Sequence, residues 1–184
     1  KYDWVWVKSR ATGFAQAKNQ PMRKHENILV FSNGVAIHKS QSKKRMPYNP
    51  QGLENTMYIK KQGKNGRTDT CFSKRPSHKL EHIQTETNYP TSILNFASEG
   101  KTLHPTQKPV ALPISLIEYL IKTYTNEGET VLDNCMGSGT TAIACMNTKR
   151  NYIGFEWCPD KPHDTYFKLA NKRIEDYLNE VKTA

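Results

Sequence analysis

Hydrophobic and polar residues alternate near the start of the chain and recur with a helical period near its end. Tyr2 to Lys8 alternates and is rich in residues that favour strands, and Asn27 to Ser32 forms a second run of this kind. The long polar connection between them contains Pro21. Such connections often carry functional residues. The pattern therefore predicts two strands joined by a long, hairpin-like loop.

The last third of the chain alternates short strands with amphipathic helices. Apolar residues recur at helical spacing from Ile114 to Tyr124, after Pro113, which suits a first helical turn. Strands are predicted at Thr130 to Asp133 and Asn151 to Glu156, with a helix between them from about Gly139 to Thr148. A last helix follows, starting near residues 162–164. This β-α-β-α order is typical of a parallel, doubly wound α/β sheet.

The middle of the chain, residues 33–103, is basic, poor in aliphatic runs and rich in Gly, Pro and Asn. Cations neutralise phosphates, while aromatic rings and polar groups contact bases, so this composition suits a surface that binds nucleic acid. The alternative is a loop-rich subdomain whose aromatic residues form a small core. The aromatic residues in question are Tyr48, Tyr58, Phe72, Tyr89 and Phe96.

The net charge of +10 over 184 residues is unevenly distributed. Residues 1–103 hold 18 Lys and Arg against 7 Asp and Glu, whereas residues 104–184 hold 9 against 10. The first part therefore carries all of the excess charge, which indicates a polyanionic partner, with a merely solvated basic surface as the alternative.

Composition narrows the class of protein further. The length suits one domain with a possible subdomain, and a mean hydropathy of −0.77 without a long apolar run predicts no membrane span. The four cysteines form no CxxC pair and match no zinc spacing, so no metal site is expected. Because the chain begins at Lys1 without Met, we expect its natural N-terminus to lie further upstream.

The stretch from Val131 to Ala142, VLDNCMGSGTTA, predicts a nucleotide pocket, because a strand ending in Asp133 runs through a glycine-rich turn into a helix. It is not a Walker P-loop, since no Lys precedes Thr140. It fits the G-x-G-x-x-A fingerprint, with Glu156 placed to accept hydrogen bonds from ribose hydroxyls. NAD and S-adenosylmethionine (AdoMet) both satisfy this pattern.

Asp133 favours AdoMet over NAD. A pyrophosphate packed on this turn would meet the carboxylate at close range, and like charges there repel by on the order of a few kcal/mol. AdoMet has no phosphate, and its ammonium and sulfonium groups favour a nearby carboxylate. A turn used only for packing is the remaining alternative.

Several of these motifs together closely resemble the C-terminal half of the β-class DNA amino-methyltransferases, which methylate adenine N6 or cytosine N4. The motifs are His104 to Pro109 (HPTQKP), VLDNCMGSGTTAIAC, YIGFE and YFKLANKRI, with WVWVK and GFAQAKNQPMRKHENILVFS near the N-terminus. The resemblance covers nearly the whole chain and is weakest at about residues 38–88. The chain departs from the family at Asn134 and Cys135, where Pro-Phe is usual.

The resemblance implies specific roles for residues of this chain. His104 and Lys108 would face the methionine carboxylate of AdoMet, Asp133 and the glycine turn would line the methionine and adenosine, and Glu156 would bind the ribose. The implied cofactor-binding residues are His104, Thr106, Lys108, Asp133, Gly137, Ser138, Gly139, Thr140, Thr141 and Glu156. The implied DNA-binding residues are Lys18, Arg23, Lys43, Lys44, Arg45, Lys60, Lys61, Lys64, Arg67, Lys74 and Arg75.

The expected fold is therefore α/β, a Rossmann-like AdoMet-dependent methyltransferase fold with an irregular basic target-recognition insertion. We expect a strand-hairpin segment at residues 1–37, the target-recognition region at 38–103 and an AdoMet-binding lobe at 104–184. The family's catalytic DPPY-type motif is missing, since no two prolines are adjacent in this chain. We therefore expect the central catalytic strands to be absent, leaving open strand edges that a missing N-terminal segment or a second chain would complete.

The resulting hypothesis is a cytoplasmic, prokaryotic or phage-encoded methyltransferase that acts on adenine N6 in double-stranded DNA, with this chain inactive alone. Adenine is favoured because this motif order is commoner among N6 enzymes. The alternatives are a cytosine-N4 methyltransferase, a non-catalytic DNA-binding homologue and an NAD-dependent enzyme.

Overall fold

The structure is a computed structural model of the chain, and it describes residues 2–33, 46–61, 81–97, 112–157 and 166–183. The chain divides into two compact units, residues 1–49 with 91–184, and residues 50–90. In chain order the strands are β1 (Tyr2–Thr12), β2 (Arg23–Val30), β3 (Glu54–Lys61), β4 (Glu81–Thr87), β5 (Ile93–Leu94), β6 (Thr130–Asp133) and β7 (Asn151–Gly154), and the helices are α1 (Ile114–Tyr124), α2 (Thr140–Asn147) and α3 (Tyr166–Thr183).

The first sheet of the larger unit has the order β2-β1-β5, with β2 antiparallel and β5 parallel to β1. Alternate side chains of β1 are buried on one face, beginning with Trp4 and Trp6 and ending with Lys8. The buried Lys8 ammonium lies 3.1 Å from a carboxylate oxygen of Glu26 on β2. A buried charge needs such a partner, because desolvation would otherwise strongly disfavour it.

The core of this sheet is built around the two tryptophans. Trp4 and Trp6 pack with Leu94 of β5 and Leu116 of α1. Both indole N–H groups find acceptors, with the Trp6 Nε1 donating to the Phe96 carbonyl oxygen at 2.9 Å and the Trp4 Nε1 to the hydroxyl of a tyrosine in α1. Buried indoles keep their hydrogen bonds in this way, so the same residues supply apolar contact and orientation.

A second sheet in the same unit consists of β6 and β7, which pair in parallel so that Asp133 lies opposite Gly154. On one face Val131 and Tyr152 pack against a cluster formed by Ile121 of α1 and by Ala144 and Cys145 of α2. The helix α1 therefore contributes to both cores of the unit.

The other face of this two-stranded sheet is apolar and open to solvent in the described part of the chain. Leu132 and Ile153 are 64% and 51% exposed, and Phe155 and Trp157 beyond β7 are also exposed. Parallel strands normally have both faces covered, which explains why these strands read as apolar runs in the sequence.

The smaller unit contains an antiparallel pair, β3 and β4, that sequence reasoning did not predict. Its apolar side chains are largely exposed, including Met57, Ile59 and Ile83. Without a buried face the strands lack the apolar–polar alternation on which strand prediction depends. At the base of the pair Asn88 adopts a positive φ of 60° and donates a hydrogen bond to the Gly52 carbonyl oxygen at 2.7 Å.

The other predicted elements are present with shifted ends. β1 continues to Thr12, and β2 begins at Arg23, four residues before its predicted start. Pro113 is the N-cap residue of α1 and not a residue of its first turn.

The predicted domain boundaries after residues 37 and 103 fall outside the described residues, and the seven described strands form three separate sheets. No helix among the described residues is long and apolar enough to span a membrane.

The buried thiol of Cys145 gives a direct test of the α1–α2 core. Burial raises its pKa to about 11, so the thiol stays protonated at pH 8 and lacks the reactive thiolate form. The thiol of Cys135 is exposed. We expect iodoacetamide to alkylate Cys145 at least about a hundredfold more slowly than Cys135, because reaction requires local opening.

The measurement is peptide mass spectrometry of the native protein over time at pH 8, with a urea-unfolded sample as the control that equalises both sites. Equal native rates at the two cysteines would contradict the described core.

Candidate cofactor site at the glycine turn

Parallel pairing of β6 and β7 brings the predicted site together at one edge of the sheet. Asp133 ends β6, Gly154 ends β7, and the two residues lie opposite each other. Residues 134–139, called the glycine turn below, then lead from β6 into α2. Ligands of parallel α/β sheets bind at this carboxyl edge of the strands.

The glycine turn is fixed by main-chain hydrogen bonds. The Phe155 N–H donates to the Asp133 carbonyl oxygen at 2.8 Å, and the Met136 N–H donates to the Phe155 carbonyl oxygen at 2.9 Å. Gly137 and Gly139 adopt positive φ values of 54° and 80°. Residues that have a side chain rarely adopt this left-handed backbone conformation, so the two glycines allow the chain to reverse into α2.

The Asp133 carboxylate is half-buried and points along the turn. Its Oδ1 accepts a hydrogen bond from the Cys135 N–H at 3.0 Å, and its Oδ2 accepts one from the Thr141 hydroxyl at 2.6 Å. One carboxylate thus links the end of β6 to the turn and to the first turn of α2.

The second predicted acid reaches the same turn from the opposite strand. Glu156, two residues after β7, accepts a hydrogen bond from the Gly137 N–H through its Oε2 at 2.5 Å. The turn therefore lies between two carboxylates on neighbouring strands. A ligand hydroxyl that binds Glu156 would share or replace this bond to Gly137.

The start of α2 completes the described part of the site. Gly139 is its N-cap residue and gives no side-chain cap, while Ser138 and Thr140 on either side are buried. Main-chain N–H groups at a helix start lack helical acceptors and carry a partial positive charge. The site thus combines two acids with a helix N-terminus, which suits a ligand that carries both positive and negative groups.

Sequence reasoning missed the residues of α3 that hold this turn. The Arg173 guanidinium donates to the Ser138 carbonyl oxygen at 2.6 Å and to its hydroxyl at 3.2 Å. Ala170, one turn earlier, is almost fully buried and faces Gly139. Both residues belong to YFKLANKRI, a motif that carries the family resemblance, but the motif alone did not assign either of them to this turn.

The remaining predicted residues are not brought to this site by the described part of the structure. His104, Thr106 and Lys108 lie outside the described residues. Lys18 and Arg23 are exposed on the loop after β1 and at the start of β2, and Lys60 and Lys61 lie in β3. The other predicted DNA-binding residues also lie outside the described residues, namely Lys43, Lys44, Arg45, Lys64, Arg67, Lys74 and Arg75. Within the described ranges no three His, Cys, Asp or Glu side chains could hold a metal ion.

Comparison with known families settles the class of protein. The family N6_N4_Mtase, described as DNA methylase, matches residues 1–165. The chain belongs to this DNA methylase family. The match includes the glycine turn, Asp133 and Glu156, and it confirms the family resemblance inferred from the motifs.

Curated relatives of this methylase chain are bacterial methyltransferases. The Type II methyltransferase M.BglI of Bacillus subtilis is 43% identical over 82 residues, which are 44% of this chain and 21% of the relative. The Type II methyltransferase M1.MboII of Moraxella bovis is 29% identical over 184 aligned positions, covering 94% of this chain and 64% of the relative. The chain therefore spans less than two thirds of the length of these relatives.

Solved structures of similar proteins include one described as the M1.HpyAVI-SAM complex. It is 25% identical in sequence, with a TM-score of 0.48, and the match covers 94% of this chain and 60% of that protein.

Two glycines with the same backbone conformation test the contact between the turn and α3. Gly128 and Gly139 have φ values of 83° and 80°, but a Cβ at Gly128 would meet nothing within 4 Å. A Cβ at Gly139 would lie 3.1 Å from the Ala170 Cβ. We expect Gly128→Ala to lower the free energy of unfolding by about 1 kcal/mol through backbone strain alone. Gly139→Ala should lower it by about 2–3 kcal/mol, because overpacking adds to that strain.

Urea unfolding followed by circular dichroism measures both values. Equal losses in the two variants would show that α3 does not press on Gly139 in solution.

Proposed function

We propose that this chain forms the AdoMet-binding and DNA-contacting portion of a methyltransferase that acts on adenine N6 in double-stranded DNA. The observation that carries the proposal is the glycine turn held between Asp133 and Glu156 at the carboxyl edge of β6 and β7. Membership of the DNA methylase family supports the same reading.

The charges at the turn favour AdoMet over a dinucleotide. Two carboxylates contact one short turn, and a pyrophosphate placed there would be repelled by both. A single pair of like charges about 4 Å apart repels by on the order of 4 kcal/mol at the effective dielectric constant of a protein surface. AdoMet carries an ammonium and a sulfonium in place of phosphates, so the same carboxylates would attract it.

Different residues of this chain would bind different parts of AdoMet. Glu156 would exchange its bond to the Gly137 N–H for bonds from ribose hydroxyls, the role of an acidic residue at the end of the second strand in this type of site. Asp133 would keep the turn and α2 in register through Cys135 and Thr141. By the family resemblance, His104 and Lys108 would bind the methionine carboxylate. When bound, AdoMet supplies the methyl group that the reaction transfers.

The base-binding motif would come from outside the sequence in hand. The chain has no adjacent prolines, so it lacks the motif that holds a flipped base and accepts hydrogen bonds from its exocyclic amine. We therefore expect this chain alone to bind AdoMet and DNA without methylating DNA, and an upstream segment or a second chain to complete the enzyme. Cytosine N4 is the alternative target, since the family includes both activities by name.

A second candidate function is DNA binding without catalysis by a methyltransferase homologue. By the family resemblance, Asn134 and Cys135 replace Pro-Phe, whose Phe helps to pack the cofactor pocket. Both carboxylate oxygens of Asp133 also accept hydrogen bonds from groups of the chain itself. In that case the turn would serve the fold alone and AdoMet would not bind.

Isothermal titration calorimetry with AdoMet and with NAD tests the cofactor assignment. We expect AdoMet to bind and NAD not to bind. Glu156→Gln should weaken AdoMet binding by about tenfold or more, because a charged acceptor for hydroxyl groups is lost. The matched control is Glu175→Gln, which removes the same charge from an exposed residue of α3.

Equal affinity for AdoMet in Glu156→Gln and in the control would contradict the assigned role of Glu156. Binding of NAD in preference to AdoMet would overturn the cofactor assignment itself.

Salt dependence tests the assignment of DNA contacts to the basic part of the chain. The double variant Lys18→Gln, Arg23→Gln removes two exposed charges from the β1–β2 region, and Lys168→Gln, Lys172→Gln removes two from α3. If the first pair contacts phosphates, the slope of log affinity against log salt concentration should fall by about two. The α3 pair should leave that slope unchanged.

Fluorescence anisotropy with a labelled DNA duplex gives both slopes. Identical slopes for the two double variants would exclude Lys18 and Arg23 as phosphate contacts.

A further inference from the structure

Helix α3 holds the glycine turn by a polar clamp. The Nη1 of Arg173 lies 2.6 Å from the Ser138 carbonyl oxygen, 3.2 Å from its hydroxyl and 3.5 Å from the Thr140 hydroxyl. Ser138 and Thr140 are buried, whereas Arg173 itself is half-buried. One guanidinium therefore binds the carbonyl oxygen of Ser138, near the end of the glycine turn and 35 positions earlier in the sequence.

The same face of α3 also presses on the turn. Ala170 and Arg173 are three residues apart in the helix and so share a face. A Cβ at Gly139 would lie 3.1 Å from the Ala170 Cβ and 3.2 Å from its Cα, so Ala170 would have to move by a few tenths of an ångström to accommodate it. The turn is thus held by close packing against Ala170 and by hydrogen bonds from the Nη1 of Arg173, both on the same helix.

The placement of this charge is unfavourable for α2 taken alone. The first turn of a helix carries a partial positive charge, and cations stabilise the opposite end. The guanidinium of Arg173, a residue of α3, nevertheless lies at the start of α2, where its positive charge opposes the helix dipole. Stability of α2 therefore does not account for an arginine at this position, whereas control of the Ser138 peptide does.

Glu156 and Arg173 hold neighbouring parts of the same turn in different ways. Glu156 accepts the Gly137 N–H, and Arg173 donates to the Ser138 carbonyl oxygen. If a ligand hydroxyl takes over Glu156, the bond to Gly137 is weakened or lost. The Arg173 clamp does not use Glu156, so it remains when the ligand binds.

We propose that Arg173 is a positioning residue for the cofactor site, which acts through Ser138 and keeps residues 137–140 in the conformation that AdoMet binds. This inference rests on the proposed function and assigns a role to a residue that the motif comparison left without one. Arg173 does not itself contact the cofactor in this account, and α3 becomes part of the site's support.

Calorimetric titration of AdoMet into Arg173→Ala, Arg173→Lys and Lys172→Ala tests this role. Lys172 is the neighbouring cation on the exposed side of α3 and serves as the matched control. We expect Arg173→Ala to weaken AdoMet binding by about tenfold to a hundredfold, the loss typical of a hydrogen bond from a charged donor. Arg173→Lys should recover part of this loss, because an ammonium also donates hydrogen bonds but lacks the planar guanidinium geometry that sets the position of Nη1. Lys172→Ala should bind as the unmodified chain does.

Amide hydrogen exchange separates positioning from general stability. In ligand-free Arg173→Ala, the amides of residues 137–140 should exchange faster, while the β1 amides keep their protection. If Arg173→Ala does not fold, Arg173→Lys carries the test, with severalfold weaker binding expected in a folded protein.

The outcomes are distinguishable from failure of the proposed function. AdoMet binding by the unmodified chain, with equal binding by the folded Arg173 variants, would overturn this inference alone. No AdoMet binding by the unmodified chain would overturn both.

Discussion

The parallel pairing of β6 with β7 is the constraint on which the candidate site depends. It places Asp133 opposite Gly154, and therefore brings two carboxylates from separate strands to one turn. Gly154 has no side chain, and the end of the flexible Met136 side chain occupies the space that a Cβ there would take. A shift of one residue in this pairing would turn Asp133 away from α2 and separate the two acids.

Packing on both sides of α2 keeps that turn in place. On one side α1 and α2 share the cluster around Ile121 and Cys145, which covers the inner face of the two strands. On the other side α3 reaches the start of α2 through Ala170 and Arg173. The site is therefore supported by three helices and two strands that follow one another in the chain from α1 to α3.

Elements whose apolar residues follow a simple period could be predicted from the sequence. Elements without such a pattern, and contacts between distant residues, could not. The strand ending at Asp133, the glycine turn and α2 were correctly predicted, because a short apolar run, two glycines and a small-residue helix each have a local signature. The β3–β4 pair was missed because its apolar residues are exposed and give no alternation. Arg173 lies in the motif YFKLANKRI, but its contact with the glycine turn was missed because a hydrogen bond between residues 35 positions apart leaves no local pattern. The roles of His104 and Lys108 remain predictions, since both lie outside the described residues.

The most direct test of the central claim is a titration of AdoMet into isotopically labelled protein, followed by NMR at the backbone amides. The account predicts the largest shift changes at Gly137, whose N–H is bonded to Glu156, and at the neighbouring amides up to Thr141. Amides of the β3–β4 pair should stay unchanged. No shift changes at the glycine turn at saturating AdoMet, or changes confined to other parts of the chain, would contradict the assignment of this turn as the cofactor site.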